Sequence, residues 1–331
     1  MTTSPLPRRP DDRPVLLWRD ATTAQFGADP ATALTLADLT PPLASLVRAL
    51  DGATPPALAV ADAVARGGTP GDVTTVVAAL AQAGMLIAGR PAPATAYVRV
   101  HGGGRLGTAV AVLLAGAGVG RVAVRAAGTV AADDVGTGLR DADVGRPAVV
   151  AVAEAVARAA AAVGVGEPTR RRPELAVLVG AAAADPVLSA RLHTRHQPHL
   201  AVTVQGGRGT VGPLVVPGRG SCLRCADRHR AAADPAWPRL TAQLAGRPVT
   251  VGVATASAVA ALTVEHVLDH LVDGTSRLID SALELDLGVS TLTRCLRPAH
   301  PGCSCGASSR TVRPGRAVRE QPGDNRGRDV R

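Results

Sequence analysis

Apolar and polar positions alternate with a short period at the start of the chain. Residues 14–20 (PVLLWRD), 22–27 (TTAQFG) and 31–39 (ATALTLADL) read as strands, with Gly27, Asp29 and Pro30 supplying turn chemistry. From Pro41 the spacing lengthens. Leu43, Leu46, Val47 and Leu50 fall on one helical face, and Asp51-Gly52 ends the helix. Residues 55–66 and 71–83 predict two more helices, and 84–87 (GMLI) a closing strand. Residues 89–95 (GRPAPAT) read as a linker.

Beyond the linker the pattern changes. Short apolar runs at 97–100, 122–124, 175–179 and 199–204 have the look of buried strands. Helical stretches at 108–117, 143–162 and 186–195 separate them. Strands alternating with helices predict a parallel sheet. A helix over 254–272 and a hairpin-like stretch over 276–292 follow. The expected fold is therefore α/β: a Rossmann-type domain over 96–305, preceded by a small winged-helix-like α+β module over 13–90. Residues 1–12 and 306–331 are expected to be disordered.

Composition refines this picture. The chain has 331 residues, 46% hydrophobic and 1% aromatic, so its core must be built from Ala, Val and Leu. The net charge is +9, and every basic residue is Arg, since the sequence contains no Lys. Charge gathers at Arg170, Arg171 and Arg172 and in the 306–331 tail. No aromatic platform or nucleic-acid motif accompanies it, so it reads as a solvated tail and no nucleic-acid partner is expected. The first residues lack an apolar signal core, and the 108–119 run is too short to span a bilayer. A cytoplasmic protein is expected, and its cysteines then point to metal or catalysis rather than to disulfides.

Two motifs carry chemistry. Gly102-x-Gly104-x-x-Gly107 follows a strand and opens a helix, the context in which glycines allow a tight turn and the helix N-terminus attracts phosphate. The competing reading is a glycine-rich turn with no ligand. Cys222-x-x-Cys225 and Cys303-x-Cys305 are two close pairs that can share one tetrahedral zinc. The rival for the first pair is a redox dithiol, disfavoured because it reads as lying in a loop that opens no helix. His300 is an alternative fourth ligand. Cys295 reads as an ordinary thiol.

The residues around these motifs add a resemblance. LLAGAGVGRVAV (113–124) and Asp143-Val144-Gly145-Arg146-Pro147 resemble segments of the ThiF/MoeB adenylyltransferases, the superfamily of ubiquitin-activating enzymes, over about 98–305. The resemblance implies a nucleotide fold, ATP as cofactor, and a zinc site formed by the two cysteine pairs. It also implies that Gly102, Gly104, Gly107, Arg105 and Asp185 border the nucleotide and that Arg140 is the retained catalytic arginine. Three family positions are lost. No acid stands in 124–127 to hold the ribose, Thr137-Gly138-Leu139-Arg140 lacks the family's Asn, and the phosphate-contacting Lys falls on Ala148. Arg105 or Arg146 could replace that cation in part, although a planar fork is not a point charge.

Residues 222–244, with Trp18-Arg19-Asp20, QFGADP (25–30) and Leu50-Asp51-Gly52, resemble actinobacterial ThiF-like proteins of ribosomal peptide modification. These are classed as leader-peptide-binding or cyclodehydratase-domain proteins of bacteriocin biosynthesis. That resemblance implies an N-terminal module pairing an extended leader peptide with its sheet edge, and a separate modifying enzyme as partner. A plain docking or dimerisation module, and hence a homodimer, competes with it. Two functions stay open at this point. One is a degenerate adenylyltransferase that presents a leader peptide. The other is an active one that uses ATP to activate a peptide or protein C-terminal carboxylate.

Overall fold

A computed structural model describes residues 15–307 except 30, 32, 52–53, 55, 83–92, 181–184 and 245–249. The expected strand at 84–87, most of the linker, the first twelve residues and nearly all of the basic tail lie outside the described residues. The chain divides into two compact units, Met1–Pro91 and Ala92–Arg331.

In the first unit, β1 (Leu16–Trp18), β2 (Ala24–Phe26) and β3 (Leu34–Leu36) form an antiparallel sheet in that order. The first turn is fixed by Asp20, whose Oδ1 accepts the Thr22 amide at 2.8 Å. Helices α1 (Pro41–Asp51), α2 (Pro56–Ala65) and α3 (Pro70–Gln82) each begin on a proline, whose missing N–H is needed by no intrahelical bond there. Thr69 caps α3: its Oγ1 accepts the Asp72 amide at 3.2 Å and donates to the Asp72 carboxylate at 2.7 Å. The expected face of α1 is the buried one, and Leu43, Leu46, Val47 and Leu50 pack with Phe26, Val73 and Leu80. Trp18 packs against this core with the Arg48 guanidinium 4.1 Å over its ring.

The second unit is one eight-stranded sheet with helices on both faces. Its elements are β4 (Tyr97–His101), α4 (Gly104–Gly116), β5 (Arg121–Arg125), α5 (Ala148–Ala159), β6 (Gly164–Val165), β7 (Leu175–Gly180) and α6 (Pro186–Thr194). They continue with β8 (His199–Gln205), β9 (Arg208–Val215), α7 (Leu223–Ala233), α8 (Trp237–Leu244), α9 (Val253–Asp273), β10 (Ser281–Asp286) and β11 (Thr291–Leu296). The sheet order is β11-β10-β9-β8-β7-β4-β5-β6. Strands β8, β7, β4, β5 and β6 run parallel, and β9, β10 and β11 add antiparallel pairings at one end. Val98, Val100, Val122 and Val177 face α4, α5 and α9 in a core of small apolar side chains, as the composition required. Ala176, Leu178, Ala201 and Val215 face the other way, toward Leu192 of α6 and Leu223 of α7.

Three elements differ from the sequence pattern. The helix expected over 143–162 starts only at Ala148, because Gly145 takes φ +82° and Pro147 caps the start. The Gly/Pro-rich stretch around 210, for which the pattern predicts no strand, forms β9, an interior strand that holds Pro213 next to a register shift opposite Leu200 and Val202. The hairpin lies over 281–296, later than expected.

The strand order reverses about β4. Helix α4 follows it on the way to β5, whereas β7 returns to its other side. In open α/β sheets the crevice outside the carboxyl ends at such a switch point is where ligands bind. The glycine turn stands there.

Candidate functional site

Helix α7 begins immediately after Cys222, its N-cap, and Cys225 sits in its first turn. The C-x-x-C therefore opens a helix, contrary to the loop expected from sequence. The redox reading regains nothing from this, because Cys303 and Cys305 come to the same place. Beyond β11 the chain turns at His300, whose carbonyl accepts the Cys303 amide at 2.9 Å and whose Nδ1 accepts the Gly302 amide at 3.0 Å. Cys303 and Cys305 then flank the exposed Ser304. The Sγ separations are 3.8 Å for Cys222–Cys225, 3.8 Å for Cys222–Cys303 and 3.6 Å for Cys225–Cys305, and all four sulfurs lie within 4.8 Å of one another. A tetrahedral ion with Zn–S bonds of about 2.3 Å sets its sulfurs about 3.8 Å apart. The donor set and spacing fit a soft tetrahedral metal such as zinc.

Burial pushes the Cys222 and Cys225 thiols up, whereas at Cys305 the Ala307 amide and the neighbouring thiols outweigh burial and bring the thiol down. A divalent ion would supply the charge that four close thiolates need. His300 is outside the cluster and stands edge-on to His229, with ring centres 4.8 Å apart. Cys295 lies on β11 away from it, its thiol raised by burial and by Glu284.

At the other candidate site the glycines are demanded by the backbone. Gly102 takes φ +126°, and a Cβ there would stand 2.3 Å from the Val179 carbonyl oxygen. A Cβ on Gly107 would stand 2.4 Å from the Gly102 carbonyl oxygen. Gly104 takes φ +66° and starts α4. Its would-be Cβ lies 3.0 Å from Oδ1 of Asp134, a residue that drew no attention in the sequence.

The other nucleotide candidates are engaged elsewhere. Arg105 donates from Nε to the Val135 carbonyl at 2.8 Å and from a terminal nitrogen to the Val251 carbonyl at 2.5 Å. Asp185 caps α6, where its Oδ1 accepts the Val187 amide at 2.8 Å and the Leu188 amide at 3.2 Å. Arg146 is held by Glu154 and Asp143, and Glu154 raises its basicity most. The Arg140 amide holds Asp143 below the usual carboxylate range, with help from Arg146 and Arg158, while the Arg140 side chain is exposed. Ala148, where the resemblance calls for lysine, is a buried first residue of α5.

A polar cluster that sequence reasoning missed lines the same end of the sheet. Glu167 binds Arg125 through both oxygens, at 2.6 and 2.8 Å, and Arg99 at 2.9 Å. Arg99 also donates to the Tyr97 hydroxyl at 3.2 Å. His101 closes β4 with a buried Nε2 that finds no partner among the described residues, and burial, then Arg99 and Arg125, depress its pKa to about 4. Only the period-two spacing of Tyr97, Arg99 and His101 hinted at a shared face.

No protein-family model matches the sequence, and a search of curated proteins finds no relative. Solved structures do match. E. coli MccB with ATP superposes with a TM-score of 0.63 at 14% identity, over 88% of this chain and 97% of that one. The microcin C7 biosynthetic enzyme MccB in complex with N-formylated MccA gives 0.63 at 13% identity, over 89% and 98%. PaaA gives 0.51 at 17% identity, over 62% and 74%. The chain therefore has the ThiF-like fold that the sequence resemblance implied. Among the described residues no helix is long and apolar enough to cross a membrane.

Proposed function

We propose that this chain is a degenerate adenylyltransferase of the ThiF/MoeB type that binds the leader of a ribosomally made precursor peptide in the cytoplasm. It hands that peptide to a separate modifying enzyme of the azole-forming, cyclodehydratase kind. The observation that carries the proposal is a nucleotide fold without its charges. The chain contains no lysine, Ala148 is buried where a phosphate-binding cation is called for, and Arg105 is spent on two backbone carbonyls. In a site that works by electrostatics, losing such a cation costs orders of magnitude in rate. MccB in complex with its peptide MccA supports peptide recognition on this fold.

The N-terminal module supplies the recognition surface. Among the described residues β1 and β3 are the edges of its three-stranded sheet, and Val15 and Leu17 are exposed along the first. An added strand would gain affinity from backbone hydrogen bonds and selectivity from alternate side chains. The cysteine cluster holds zinc and ties the chain after β11 to α7. The second reading, an active adenylyltransferase, draws on the intact turn geometry and on MccB bound to ATP.

Titrating the zinc-loaded full chain with leader peptides encoded beside its gene tests the proposal. Saturable binding near 1 μM, about 8 kcal/mol, is the expected result. Amide shifts should be confined to β1 or β3 and the helices beside them. Failure of every candidate leader to bind would refute it.

A further inference from the structure

We infer that Asp134 closes the glycine turn to phosphate: its carboxylate occupies the end of α4 that a nucleotide's phosphates would need. The inference rests on the reading of this chain as a protein that does not use ATP, and it names the residue that enforces that state. A helix leaves its first N–H groups without intrahelical partners, and together with the helix dipole they attract an anion. At α4 a carboxylate stands beside that end, bonded to the Ala131 amide and to no amide of the helix. Asp134 Oδ1 lies 3.0 Å from the position of a Cβ on Gly104, the first residue of the helix.

The carboxylate is fixed in place from several sides. Its Oδ2 accepts the Ala131 amide at 2.9 Å, closing the short 3₁₀ turn over Ala132–Asp134. Arg105 donates to the Val135 carbonyl at 2.8 Å, and the Thr137 hydroxyl donates back to the Arg105 carbonyl at 2.6 Å. Residues 134–137 are thus pinned to the first turn of α4 by hydrogen bonds that run in both directions. Arg105 is the residue of that turn that could offset the charge, and its guanidinium is turned to carbonyl oxygens. A triphosphate entering here would meet a fixed negative charge and no free cation on the turn itself. Like charges a few ångströms apart in a partly buried site repel strongly.

Isothermal titration of the full chain with MgATP tests this on three proteins: wild type, Asp134→Asn and Asp133→Asn. Asparagine keeps the shape and the acceptor for the Ala131 amide and removes the charge. Asp133 is exposed and serves as the matched control. MgATP should bind Asp134→Asn at least about tenfold more tightly than it binds wild type or Asp133→Asn. Adenosine, which carries no phosphate, should show no gain. Asp134→Ser, which also lacks the charge, should behave as the asparagine variant does if that one folds poorly. An Asp134→Asn protein that folds and binds MgATP no better than wild type would overturn the inference. So would an equal gain in Asp133→Asn or an equal gain for adenosine. Those outcomes leave the peptide-binding proposal standing, since that is decided by leader titration of the wild type.

Discussion

The cysteine cluster and the glycine turn lie in the same domain and both resemble parts of an adenylyltransferase, yet they differ in what their side chains are free to do. Four sulfurs from the start of α7 and from the segment after β11 converge within 4.8 Å of one another. At the turn the backbone shape is complete. Its charged neighbours, however, cap a helix (Asp185), brace a loop (Arg105) or face the helix end with the wrong sign (Asp134). Geometry that the fold itself requires can outlast the chemistry it once served, whereas a metal site is both fold and chemistry. The contrast warns against reading activity from a glycine fingerprint alone.

The largest expected effect is at the metal. Cys225→Ser, or removal of the ion by a chelator, should abolish stoichiometric zinc and cost about 3 kcal/mol or more of stability. Elemental analysis and thermal melting check this. Retention of both zinc and melting temperature in Cys225→Ser would remove the cluster's structural role.

Next is the turn. Gly102→Ala forces a Cβ to 2.3 Å from the Val179 oxygen at a positive φ, so it should cost about 2–4 kcal/mol whether or not any nucleotide is present. Equal stability of the variant in denaturant titrations would show that the turn is not demanded by the fold.

Much of this architecture is legible in the sequence. The period-two start, the amphipathic α1, the strand–turn–helix at Gly102–Gly107 and the two cysteine pairs all survive in the structure. Illegible features depended on distance along the chain. β9 carries Gly209, Gly212 and Pro213, which argue locally for a loop, yet pairing with β8 and β10 on both sides overrides that preference. Helix α7 was hidden by the glycines and prolines before it. Asp134 looks like any loop acid, and its significance comes from Arg105 holding its neighbour Val135, thirty positions further on, to α4. Likewise the Glu167–Arg125–Arg99 cluster needs β4 and β5 side by side before it exists.

A further effect should appear with pH. His199 is buried, and burial depresses its pKa from 6.5 to about 4. Between those values the unfolded chain binds a proton that the folded chain refuses. Stability should therefore fall as pH drops from 6.5 toward 4, by about 3 kcal/mol over that range from this residue. His199→Asn should flatten that part of the stability–pH curve measured by denaturant unfolding. An unchanged slope would show that this histidine is not kept neutral by the fold.

Smallest is Cys295. It stands apart from the four clustered sulfurs, so Cys295→Ser should change stability by less than about 0.5 kcal/mol and leave the zinc content unchanged. A loss of metal in this variant would mean that the ligand set is wrong.

The central claim is that the nucleotide fold is kept and its ATP chemistry is gone. ATP–pyrophosphate exchange by the zinc-loaded wild-type chain, assayed with the precursor peptides encoded beside its gene, tests it most directly. The account predicts exchange indistinguishable from the protein-free control for every peptide. Exchange that rises with peptide concentration would contradict it and identify the chain as a working adenylyltransferase.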